Sequence, residues 1–96
     1  MPRNNRRDAN EPEIIAYFKS VGASVLCIDD VDLIVGFCDR NYLVEVKKHK
    51  TPGMHRKQYD LNPRQVKIHE EWRGQICVVR DVVDAKWLLF GPDSYV

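Results

Sequence analysis

The chain carries no long hydrophobic run, almost no net charge and no cysteine pair at metal-binding spacing. No stretch approaches the roughly 18 apolar residues that a membrane helix requires. The opening segment, Met1-Pro2-Arg3-Asn4-Asn5-Arg6-Arg7, is polar and basic and lacks the apolar centre of a signal peptide, so a cytoplasmic protein is expected. Three cysteines, Cys27, Cys38 and Cys77, form neither a Cys-x-x-Cys pair nor a Cys/His cluster, which argues against a zinc site of the common kinds. Each lies in or beside an apolar run, and all three read as reduced core thiols acting as small hydrophobes. Repeats and low-complexity segments are absent. At 96 residues the chain reads as one small domain without a separate recognition domain. A domain of this size buries only about 60–68% of its unfolded surface.

A formal net charge of +1 supports no argument from overall basicity, but the charges are unevenly spread. Between Lys47 and Lys57 the chain carries Lys47, Lys48, Lys50, Arg56 and Lys57, with His49 and His55, and no acid. Such a cluster attracts phosphate and releases counterions when it binds. A solvated basic loop is the plainer alternative.

Residues 1–9 read as a flexible basic tail and 10–96 as a single domain. Asn10-Glu11-Pro12-Glu13 opens a helix, with Asn10 as N-cap and acids in the first turn. Ile14, Ile15, Phe18 and Val21 follow at helical spacing until Gly22. Ser24–Ile28, Val31–Phe37 and Tyr42–Lys47 read as strands. A basic loop with Pro52-Gly53 leads to a second helix at Asn62-Pro63, where Val66, His69 and Trp72 recur until Gly74. Gln75–Arg80 reads as a short strand, and Asp81 caps a last helix. The expected class is α/β, in the order α-β-β-β-α-β-α.

Charges interrupt this apolar pattern at a few places. Side chains alternate along a strand, so Glu45 and Lys47 share one face while Val44 and Val46 take the other. Desolvating an acid and an amine there is costly and asks for a reason. A two-residue turn at Asp39-Arg40 sets Asp32 opposite Lys47 and makes Asp32 and Glu45 diagonal neighbours on one face. A three-residue loop reverses the parity and separates them. Converging carboxylates suit Mg²⁺, which takes oxygen ligands and commonly one or two carboxylates, and the Val46 carbonyl adds a third oxygen. Lys47 is placed either to orient a water or to stabilise a phosphorane-like transition state. Glu-x-Lys alone is common, arising by chance in about one chain in three of this length. Its context gives it weight.

Glu13 on the first helix, Asp32, Glu45-Val46-Lys47 on a hairpin and Gln65 on the next helix resemble the PD-(D/E)XK nuclease superfamily. The likeness is greatest to its small VRR-NUC and Holliday-junction-resolvase-like members, and it spans about residues 10–90. The segment Leu61-Asn62-Pro63-Arg64-Gln65 and Trp72-x-Gly74 belong to it, while Val31 stands where the family has proline. The resemblance implies a restriction-endonuclease-like core, a mixed β-sheet flanked by helices, and Mg²⁺- or Mn²⁺-dependent DNA hydrolysis. It further implies Asp32 and Glu45 as metal ligands, Lys47 as the catalytic lysine, Glu13 as a helix acid that tunes the metal, and Gln65 near the active site.

Lys48, Lys50, Arg56 and Lys57 from the loop, with Arg64 and Lys67 beside Gln65, are candidates to contact phosphate without reading bases. That suits an enzyme selecting DNA shape, such as a Holliday junction or another branched form. Two symmetric cuts suit a homodimer. Tyr59 either stacks on a displaced base or seals the core. His69, Trp72 and Trp87 read as packing residues. The alternative function is a non-catalytic α/β module that binds nucleic acid or a protein partner, and an RNA-directed nuclease is a third possibility.

Overall fold

A computed structural model of the chain describes residues 9–48 and 61–91. Among them lie α1 (Glu11–Ser20), β1 (Ser24–Cys27), β2 (Leu33–Phe37), β3 (Arg40–Val46), α2 (Pro63–Glu71), β4 (Cys77–Val79) and α3 (Val82–Phe90). The strands form one mixed sheet in the order β1-β2-β3-β4. β1, β2 and β3 run antiparallel, and β4 joins β3 in parallel. A parallel pair needs a long crossover, and α2 lies within the one between β3 and β4. The basic-loop expectations for His49, Lys50, the Pro52-Gly53 turn, His55, Arg56, Lys57 and Tyr59 lie outside the described residues. So does nearly all of the expected N-terminal tail.

Strand alternation sorts the sheet into two unlike faces. Leu33, Val35, Val44, Val46 and Val79 are buried on one, against Ile14 and Phe18 of α1 and Ala85 of α3. Each such aliphatic or aromatic side chain contributes about 1.5–3 kcal/mol by leaving water. Phe37 extends this layer, meeting Phe90 edge-on at a centroid distance of 5.4 Å. The opposite face carries Leu26, Ile34 and Leu43 in register across β1, β2 and β3. Here burial is incomplete, and Leu26 remains 64% exposed.

The hairpin turns one residue earlier than expected. Phe37 pairs with Arg40, leaving Cys38 and Asp39 as the two-residue tip. Both adopt left-handed backbone, with φ of 53° and 63°, as a turn with two left-handed central residues demands. Asp39 is among the residue types that tolerate this region best.

The helix starts differ in how they are built. Asn62 caps α2 through a reciprocal box: its side chain accepts from Gln65 N at 2.9 Å, and its own N–H donates to Gln65 Oε1 at 3.1 Å. Asp81 caps α3 by accepting from Asp84 N at 2.8 Å. Asn10 does not cap α1 with its side chain, contrary to expectation. Its backbone is already helical at φ −83° and ψ −7°, not extended as in a capping residue. The freed amide donates instead to Lys47 O at 3.1 Å and Arg80 O at 2.7 Å, joining α1 to the ends of β3 and β4.

The cysteines also depart from expectation. Cys27 and Cys38 are exposed, one ending an edge strand and the other at the hairpin tip. Only Cys77 is partly enclosed. Burial pushes its thiol up to about 11, with Asp84 reinforcing the rise and a hydrogen bond from Gln75 opposing it. It is a poor nucleophile in consequence.

Candidate active site

The β2–β3 register ends at the pair Leu33 and Val44, so Asp32 and Glu45 are the next residues along the two chains, on the same side of the sheet. The expectation made them diagonal; the tip falls one residue earlier, which preserves the parity that keeps both on one side. Ile28 N donates to Asp32 O at 3.0 Å, carrying the sheet pattern past the end of β2. Asp32 is half-buried and Glu45 is 1% exposed.

Hydrogen bonds fix both carboxylates. Asp32 Oδ2 accepts from Val46 N at 2.8 Å. Glu45 Oε2 accepts from Gln65 Nε2 at 2.8 Å. Because Gln65 Oε1 is held by the α2 capping box, the two ends of its amide are committed in opposite directions. The turn that starts α2 thus aims a donor at a buried acid on β3. A hydrogen bond to a charged group contributes about 1.5–3 kcal/mol.

Lys47 follows on the same strand face, half-buried. Its backbone is tied on both sides, with N donating to Val79 O at 3.1 Å and O accepting from Asn10. His69 stands one turn after Gln65, on the same side of α2. Burial, and after it the positive charge of Lys47, hold the His69 imidazole below the ordinary histidine range. Its buried Nε2 has no hydrogen-bond partner among the described residues. Asp32, Glu45, Lys47, Gln65 and His69 therefore gather between β3 and α2.

Other predicted residues fall elsewhere. Glu13 is exposed on α1, whereas Glu11 is 2% exposed. Glu11, Ile14 and Phe18 follow at i, i+3 and i+7, one helix face, and Glu13 falls off it. That spacing was a usable signal for Glu11. Lys48, Arg64 and Lys67 are exposed, and the Arg64 guanidinium forms an ion pair with Asp30. His69 had no comparable signal, because its relation to Lys47 depends on where the crossover sets α2.

The donor set, two neighbouring carboxylates, matches the hard oxygen ligands Mg²⁺ and Mn²⁺ take, commonly one or two from protein with water and substrate completing the shell. No group of three or more His, Cys, Asp or Glu suited to a metal occurs among the described residues. The residues fit a site completed by substrate and water better than a closed protein cage. No helix among the described residues is long and apolar enough to cross a membrane. No family model, curated protein or solved structure matches this chain.

Proposed function

We propose that the chain is a metal-dependent endodeoxyribonuclease of the PD-(D/E)XK type, cytoplasmic and homodimeric, acting on branched DNA such as a Holliday junction. The observation that carries the reading is the gathering of Asp32 and Glu45 at the end of β3 beside Lys47, with Asp32 bonded to Val46 N and Gln65 holding Glu45. Asp32 and Glu45, with the Val46 carbonyl, would hold Mg²⁺ or Mn²⁺. When bound, such an ion acidifies a water and offsets phosphate charge. Lys47 supplies a cation at the charge that develops on the phosphate oxygens. In the hydrolysis, water oxygen bonds to phosphorus, the P–O bond to the leaving nucleoside breaks, and its oxygen takes a proton.

One specific observation favours a second reading. Asp32 accepts a backbone N–H from β3, and Glu45 accepts from Gln65, so both acids also support the fold. A non-catalytic nucleic-acid or protein-binding module would use them in that way alone.

Cleavage of linear duplex, single strand, fork, flap and four-way junction, with Mg²⁺, Mn²⁺ or chelator, separates the two. Glu45→Gln keeps size and hydrogen bonding but removes the charge, and is expected to slow cleavage by at least about 100-fold, as is Lys47→Ala. Undiminished cleavage by both variants would sink the site assignment. Metal-independent binding without cleavage on every substrate would establish the module instead.

A further inference from the structure

A cleft of about 530 Å³ opens beside this centre, floored by Ile34 and Leu43 and walled by Ile28, Val31, Ile68 and Trp72. Ile34 and Leu43 are the cross-strand pair two positions along the hairpin from Asp32 and Glu45, on the same sheet face. Two strand residues span about 7 Å. Ile68 lies one turn beyond Gln65 on α2, and Trp72 is the residue that ends the helix. The cleft therefore continues directly from the carboxylates, along both the strand and the helix.

Its chemistry differs from that of the centre. The walls are apolar, and Trp72 leaves its side chain 50% exposed. A Cβ at Gly74 would meet Trp72 Nε1 at 3.0 Å, so the indole edge lies close against the backbone there. The rim carries Asp30 and Glu71, whose carboxylates repel a phosphate. Asp30 already pairs with Arg64. A flat, neutral, aromatic group bearing hydrogen-bond donors fits such walls and rim.

We propose that this cleft is a nucleobase subsite: an unstacked base beside the phosphate that a metal on Asp32 and Glu45 would hold enters it and stacks on Trp72. The placement rests on the nuclease reading for the position of that phosphate. The rim assigns a preference as well, since the Glu71 carboxylate accepts from the exocyclic amine of cytosine, which thymine lacks. A fork or flap presents unpaired bases at its branch point, and a continuous duplex does not. Shape selection would then come from the cleft.

The test uses a fork carrying 2-aminopurine at the unpaired position beside the branch, titrated with the full chain in Ca²⁺, a hard cation that takes the same oxygen ligands as Mg²⁺. Stacking is expected to quench the probe on the wild type. Trp72→Ala should abolish the quench and weaken binding by about 5- to 150-fold, as loss of a base–aromatic stack does. Trp72→Phe should retain most of both, and Trp87→Ala, altered at an exposed indole on α3, should match wild type. An oligonucleotide of dC should bind more tightly than one of dT, with the difference lost in Glu71→Ala. Wild-type quenching by Trp72→Ala, loss of quenching in Trp87→Ala, or no fork binding by wild type would each overturn the subsite. Cleavage of the same fork in Mg²⁺ is scored separately. A quench dependent on Trp72 without cleavage keeps the cleft and refutes the nuclease; cleavage without that quench does the reverse.

Discussion

The two faces of the sheet are held by different physics. α1 and α3 cover one face with Ile14, Phe18 and Ala85, all fully buried. α2 covers part of the other without one buried residue. Its described attachments are polar: the amide of Gln65 on Glu45 and the ion pair of Arg64 with Asp30. Hydrophobic burial is non-directional and robust, whereas these bonds fix direction and contribute less. The first face supplies stability. The second aims groups at one another, and the candidate centre lies there.

Breaking the contrast at its strongest point should give the largest effect. Phe18→Ala empties the buried layer and is expected to cost about 3–5 kcal/mol in urea-induced unfolding. Gln65→Ala removes both halves of a bridge instead, at about 1–3 kcal/mol. Amide hydrogen exchange should then quicken across α2 while α1 and α3 keep their protection. Equal loosening of all three helices would deny that α2 is separately held.

Histidine titration sharpens the same contrast at smaller scale. The folded His69 value lies below its unfolded value, so the unfolded chain binds more protons between the two. Stability therefore rises with pH through that window and falls as pH drops below about 6.5, the unfolded histidine value. His69→Asn should flatten the slope. Lys47→Ala should move the His69 titration upward in NMR, because a nearby positive charge is removed. The smallest effect belongs to the tip, which serves both faces. Asp39→Gly relieves left-handed strain and should raise thermal stability by about 0.5–1 kcal/mol, leaving activity unchanged.

Much of this contrast could be read in advance where a single period governs it. Alternation along β2 and β3 placed Asp32 with Glu45 and Val44 with Val46, because a two-residue tip preserves parity wherever it falls. Asn62 and Pro63 marked the start of α2, whose capping box closes through local bonds alone. What failed depended on distant partners. Asn10 has the right chemistry for a cap, but its acceptors lie 37 and 70 residues away. The burial of Glu11 was by contrast legible locally, in its spacing with Ile14 and Phe18. Apolar neighbours suggested core positions for Cys27 and Cys38, yet neighbours in sequence do not reveal an edge or a tip.

The Asn10 amide bears on the order in which the chain assembles. Its two acceptors, Lys47 O and Arg80 O, come together only after β4 has docked beside β3, a pairing across the α2 crossover. Hairpin contacts of short loop length close first, and long-range closure follows at greater entropic cost. The bifurcated amide is thus expected to form after the folding barrier, where an interaction slows unfolding without speeding folding. It acts as a latch on the native lifetime, set by the residue that opens the first helix.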